Sequence, residues 1–178
     1  MGACCGKANP RYRRVTDNSL RLGTDEALSE FITYFTTHPH RLQQIAQHLE
    51  EVIVSLCTRH RPAAQIELAS NLITSMINNS PDLNLFEFHV IRSIRCLVKH
   101  NHHFYAARCL CSFVKKDSSR HVRRITEFIE HFALQITSTD PFAAFVSLHL
   151  LADISRTLNQ SFFEYLSIVF ASLCSFLL

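Results

Sequence analysis

Pro39-His-Arg-Leu-Gln-Gln-Ile-Ala-Gln-His-Leu-Glu-Glu-Val-Ile-Val-Ser-Leu-Cys57 is the stretch on which the fold turns. Its apolar residues Leu42, Ile45, Leu49, Val52, Ile53 and Leu56 recur at the three- and four-residue steps that line one side of a helix. Pro39 stands where a first helical residue belongs, because its missing N–H would have no intrahelical partner there. The segment therefore reads as an amphipathic helix opening at Pro39.

The same pattern extends in both directions. Upstream, Thr24 can cap a helix whose first turn holds Asp25 and Glu26, where the positive dipole end favours them, and whose inward residues are Leu28, Phe31, Ile32 and Phe35. Downstream, Pro62 opens a third helix with Ile66, Ala69, Ile73, Met76 and Ile77 inward. Ser80-Pro81 marks the next turn, and a fourth helix runs to about Lys99 with Ile91, Ile94 and Val98 on its core side. A fifth covers about 102–116, and Asp117-Ser-Ser119 supplies a turn and cap. The sixth buries Ile125, Phe128, Ile129, Phe132 and Ile136. Asp140-Pro141 is a cap followed by an N1 proline and starts the seventh; Asn159 or Ser161 begins the eighth. Helix starts near 24, 39, 62, 81, 102, 119, 141 and 160 give a helix pair about every 40 residues, the HEAT/armadillo period. The expected fold is all-α, a HEAT/armadillo-like α-solenoid of about eight helices over residues 24–178. An irregular α-bundle is the alternative.

Composition agrees. With 47% hydrophobic and 19% charged residues in 178, the chain can bury a core and is not of the disordered class. Gly2, Gly6 and Gly23 are its only glycines, so the body lacks the residue that builds phosphate-cradling loops and nucleophile elbows. No carboxylate pair stands out from helix surface charge. The expectation is no enzyme, no catalytic residue and no cofactor.

The net charge of +3 is banded: +4 over residues 1–22, −5 over 23–91, +8 over 92–124 and −4 over 125–178. Two basic blocks separated by acidic ones suit a surface with one positive side. Arg92, Arg95 and Lys99 form a stripe at helical spacing, and Arg120, Arg123 and Arg124 a similar group, together a possible second basic patch for a membrane or an acidic partner. No nucleic-acid recognition motif or aromatic platform accompanies the charge, so nucleic acid is not expected. His100, His102, His103 and His121 fall at turns without paired thiols, and Cys109 and Cys111 face different ways on a helix; no metal site is expected. Phe162–Leu178 is apolar but short for a membrane span, carries Glu164 and has no cationic flank, so a buried solenoid helix is the better reading. Its uncapped end hints at a longer solenoid.

Residues 1–23 read as a lipidated, basic membrane-attachment segment. Cys4 and Cys5 are vicinal, and Lys7, Arg11, Arg13 and Arg14 follow with no acid between, with Arg21 a little further on. Neighbouring cysteines do not readily bridge each other, and no second pair completes a zinc site. S-acylation would turn them into an anchor. One palmitate buries about fifteen methylenes at ~0.8 kcal/mol each, on the order of 10 kcal/mol. That exceeds the ~1 kcal/mol for each nearby cation, so lipid would govern retention and the cations the choice of an anionic leaflet. Gly2 follows the initiator Met as N-myristoylation requires, although position 6 is Gly where the usual pattern has Ser or Thr. Without an apolar signal sequence, and with Cys57, Cys96 and Cys174 inside apolar helical patterns as buried, reduced thiols, the expected location is cytoplasmic.

The string Cys4-Cys5-Gly6, Pro10-Arg11-Tyr12-Arg13-Arg14, Asp17-Asn18 resembles the start of the Rolling-blackout family, peripheral plasma-membrane scaffolds of the type III alpha phosphatidylinositol 4-kinase complex. Leu28, Tyr34, Pro39, Leu42 and Ile45 match a second family segment, and a weaker likeness runs from Ser112-Phe113-Val114-Lys115 to Arg123-Arg124 and Phe128. The resemblance implies an α-solenoid rod, palmitoylation at Cys4 and Cys5, a basic surface toward anionic inner-leaflet lipids, and recruitment of the lipid kinase through a tetratricopeptide-repeat adaptor. Members continue Asp-Asn with an Ile-Phe-Pro-type turn where this chain has Ser19-Leu20-Arg21, and they are several-fold longer. The expected function is thus a non-enzymatic scaffold at the cytoplasmic face of the plasma membrane. A soluble helical-repeat interaction module without lipid is the alternative.

Overall fold

The periodic apolar residues fold as helices. The computed structural model describes residues 13–15, 17–18, 25–58, 63–116 and 122–177. Among the described residues there are eight long helices and no strand: α1 (Asp25–Thr37), α2 (Leu42–Thr58), α3 (Ala63–Asn79), α4 (Glu87–Lys99), α5 (His103–Lys116), α6 (Val122–Gln135), α7 (Pro141–Leu158) and α8 (Leu166–Leu177). Short 3-10 segments, Pro39–Arg41 and Asn159–Tyr165, lead into α2 and α8. The all-α expectation holds, and side-by-side packing is consistent with an α-solenoid.

The chain divides into two compact units, Met1–Cys96 and Leu97–Leu178, the division falling inside α4. In the first, α3 packs on both α1 and α2. Phe31, Phe35, Leu42, Ile45, Leu49, Ile53, Ile73 and Met76 lie at its centre, with the Phe31 and Phe35 rings edge-to-face at 5.4 Å. At about 1.5–3 kcal/mol for each large apolar side chain removed from water, the stripe read from 39–57 is a main source of stability. In the second unit α7 packs on α5 and α6, and α6 on α8. Alternate helices therefore stack, α5 on α7 and α6 on α8, as in two-layer helical arrays. Phe113, Phe132, Ile129, Leu110 and Ile136 fill that interior.

Local chemistry sets the boundaries. Asp140 accepts a 2.9 Å hydrogen bond from Phe142 N, and Pro141 follows as the first helical residue of α7. Between α4 and α5, Asn101 takes φ 61°. Asn101 N donates to Val98 O at 3.0 Å and His102 N to Leu97 O at 2.8 Å. That is a Schellman ending, with asparagine in the left-handed position that glycine usually fills.

Two helix starts differ from expectation. The fourth helix begins at Glu87, six residues beyond the proline at 81. Ser80 Oγ bonds Asp82 at both N (3.3 Å) and O (3.1 Å), and Asp82 Oδ1 accepts from Asn84 N at 2.9 Å, so polar side chains hold residues 80–84 in turns. The eighth helix is preceded by the 3-10 run Asn159–Tyr165, whose buried Phe162 and Tyr165 anchor it to the core. Its α-helical part, Leu166–Leu177, is largely exposed rather than buried as expected, with Leu166, Phe170 and Cys174 at the surface, and has 12 residues. At 1.5 Å per residue that is about 18 Å, well short of a ~30 Å hydrocarbon core. No helix among the described residues is long and apolar enough to cross a membrane.

Candidate functional site

One cation from each of the two basic regions read from the sequence reaches α2. Residues 13–15 and 17–18 are helical, and Val15 is buried. Asp17 Oδ1 lies 3.0 Å from His48 Nε2, and Arg13 lies 3.9 Å from Glu51 on the exposed surface. On the neighbouring residue, Glu50 meets α4: its Oε2 is 2.7 Å from His89 Nδ1 and its Oε1 3.1 Å from Arg92 Nε. Consecutive carboxylates of one helix thus hold a cation of the N-terminal segment and a cation of α4.

The two pairs differ in weight. Arg13 and Glu51 are both about half exposed, at 51% and 52%, and such a pair contributes little. Glu50 is 6% exposed. A carboxylate out of water needs donors for its oxygens, and His89 and Arg92 each supply one. Arg92 itself remains half exposed and lies 5.4 Å from the centroid of the Phe88 ring. Its guanidinium therefore closes the buried carboxylate on one side and faces solvent on the other. The sequence pattern marks Arg92 as a surface cation and does not single out Glu50 or His89. The signal was present: Glu50 stands four residues after Ala46 and three before Ile53, both fully buried on the α2 stripe.

Arg95 and Lys99 lie exposed on α4 beyond Arg92, on the same helix as expected. Arg14 is exposed next to Arg13. Gly2, Cys4, Cys5, Lys7, Arg11, Arg21 and Arg120 lie outside the described residues, as do the side chains of Arg123 and Arg124 in α6.

The histidine cluster at the α4–α5 turn forms no group of three or more potential metal ligands among the described residues. His103 instead stacks on His131 of α6, with ring centroids 5.4 Å apart. Burial lowers both pKa values; His103 further lowers that of His131, while Asp140 acts in the opposite sense on His103. His102 is also lowered, by burial and then by His100 and His103. Cys57 and Cys96 are buried thiols in hydrogen-bond contact, which with burial raises the Cys57 pKa. Burial and the nearby Asp153 carboxylate push Cys111 up to about 11. The Cys57 and Cys111 thiols are thereby kept protonated at neutral pH and are poor nucleophiles.

Among the described residues, helix, charge and burial define an all-α protein of helices packed side by side, with exposed cations on α4 and α5. Comparison then gives its relatives. The chain is similar to the EFR3 homologue of Caenorhabditis elegans, 28% identical over 155 residues that make up 80% of this chain and 18% of that protein. The Caenorhabditis briggsae EFR3 homologue matches at the same 28%, 80% and 18%. The EFR3 homologue cmp44E of Drosophila melanogaster is 26% identical over 142 residues, 73% of this chain and 17% of that protein. The likeness to the Rolling-blackout family is borne out over most of the chain. The chain spans less than a fifth of the length of these relatives. No family model and no solved structure matches it.

Proposed function

We propose that this chain is the membrane-proximal portion of a peripheral plasma-membrane scaffold, without enzymatic activity of its own, held at the cytoplasmic face by S-acylated Cys4 and Cys5. Lys7, Arg11, Arg13, Arg14 and Arg21 select anionic inner-leaflet lipid, with Arg92, Arg95 and Lys99, and separately Arg120, Arg123 and Arg124, as further basic groups. The helical body serves as a HEAT/armadillo-type rod that helps recruit a phosphatidylinositol 4-kinase complex through a tetratricopeptide-repeat adaptor. The observation that carries this reading is the similarity to EFR3 homologues over 80% of the chain. The paired thiols beside a cation cluster support the anchor independently.

The test is the subcellular distribution of a Cys4→Ser/Cys5→Ser variant, paired with hydroxylamine-sensitive acyl exchange on the N-terminal peptide. Acylated wild-type thiols and a cytosolic variant are the expected results. Wild-type thiols that are bare while the protein still lines the cell cortex would overturn the anchor.

A further inference from the structure

The second unit carries an outer face that the N-terminal anchor does not explain. Phe104 of α5 is 44% exposed, and Phe142 and Phe145 of α7 are 60% and 62% exposed, a costly display for side chains of this size. Phe104 and Phe142 lie with ring centroids 6.5 Å apart. Later on the same two helices, Cys111 reaches Asp153 at 3.9 Å. Early residues meet early ones and late meet late, so α5 and α7 run in the same direction and their outer residues form one surface.

Its charge is predominantly positive, the exposed Asp140 at the α7 cap beside Phe142 having its Oδ1 taken up by Phe142 N. Helix α5 contains no acid and presents Arg108 and Lys115 at four- and eleven-residue steps from Phe104, on the same side of the helix. Arg108 lies 5.8 Å from the Phe104 ring centroid. The sole acid of α7 is Asp153, and it is occupied by Arg156 at 2.9 Å and by the Cys111 thiol.

We propose that this α5/α7 face is a second membrane contact, in which Phe104, Phe142 and Phe145 enter the headgroup–acyl boundary of an anionic bilayer while Arg108 and Lys115 bind lipid phosphates. Charge complementarity selects an anionic occupant, and the shape of the display selects a bilayer over an acidic helix. Phenyl rings projecting from two parallel helices need no matching pocket in a bilayer, whereas a peptide helix is gripped by a groove. The aliphatic stems of the cations can lie along the same boundary with their charges toward the headgroups. The inference deepens the membrane reading and rests on it, but not on acylation of Cys4 and Cys5.

The chain contains no tryptophan, so one introduced ring is a unique reporter. The full chain, produced without acylation, is prepared as Phe142→Trp, Phe145→Trp and, as a comparison site, Leu134→Trp. Leu134 is 68% exposed on α6, four and seven residues from Glu130 and Glu127. Each is titrated with phosphatidylcholine vesicles containing about one-third phosphatidylserine, and with a synthetic Glu/Leu amphipathic helix. The expected result is a blue shift at 142 and 145 with vesicles and none at 134. Replacing Arg108 or Lys115 by Gln should weaken binding about fivefold each. No shift at 142 and 145, an equal shift at all three sites, or a shift with the acidic helix alone would overturn the inference. Because the protein is unacylated, each of these results leaves the thiol anchor to stand or fall on its own test.

Discussion

Glu50 meets two donors, and the direction in which that arrangement is broken decides the cost. Replacing Glu50 by Leu removes the buried charge, lets half-exposed Arg92 turn to water and fills the volume with an apolar side chain. Replacing His89 and Arg92 together by Leu and Met leaves a carboxylate with neither of those donors in a site where it is 6% exposed. The first change should shift unfolding by about 1 kcal/mol or less and the second should destabilise by ~3–5 kcal/mol, read from urea denaturation. Equal losses would mean that the donors add nothing to Glu50. The stacked imidazoles of His103 and His131 give a second residue-scale expectation. Both titrate below their ordinary 6.5 because burial disfavours imidazolium. The unfolded chain therefore takes up protons first as the pH falls. Stability that is full above about 6.5 should decline as the pH drops through that value toward the lower folded ones. A fall in the urea midpoint between about pH 7.5 and 5.5, made shallower by His131→Phe, is the expected measurement. The positions of these residues were half legible in the sequence. Apolar periodicity places Glu50 on the α2 stripe, but pairing with residues 39 and 42 positions away is a property of packing that no local pattern carries.

Helix ends divide in the same way between what a sequence declares and what it conceals. Asp140-Pro141 declares its helix outright: a short acceptor followed by a residue that cannot donate. Ser80-Pro81 looks like the same signal and is not one. There the side chains of Ser80 and Asp82 satisfy neighbouring backbone groups, and six residues of turn intervene before α4. The 3-10 run before α8 was equally hidden, since buried Phe162 and Tyr165 impose it through tertiary contact. The α4–α5 turn was signalled by polar residues, but not its conformation. Asn101 at φ 61° accepts a strain that glycine would not feel. Asn101→Gly should leave stability unchanged or raise it slightly, whereas Asn101→Ala should cost about 1 kcal/mol. Asp140→Ala should cost a comparable ~1 kcal/mol through loss of the α7 cap. Thermal denaturation of the three variants checks the set, and a stabilising Asn101→Ala would contradict the Schellman assignment.

At the scale of the whole molecule, the charge bands and the proposed anchor act over different ranges, and ionic strength separates them. The +4 and +8 bands can attract anionic lipid only through water, over a Debye length of ~10 Å at 0.1 M salt that shrinks to ~3 Å at 1 M. A fatty chain in the bilayer is held by hydrophobic transfer, which salt does not weaken. The two modes must therefore respond differently. Unacylated chain should bind vesicles containing phosphatidylserine at low salt and lose most of that binding as salt approaches 1 M. Chain isolated with its acyl groups intact should remain on the same vesicles at both. The phenylalanines of α5 and α7 refine this expectation, because rings in the headgroup boundary give a residual, salt-resistant component that Phe142→Ser/Phe145→Ser abolishes. Flotation at about 0.1 M and 1 M NaCl resolves all three cases. Salt-insensitive binding by an unacylated Phe142→Ser/Phe145→Ser variant would show that neither cations nor exposed rings bring the body to the membrane. Complete release of the acylated chain would show that the leading thiols do not govern its retention.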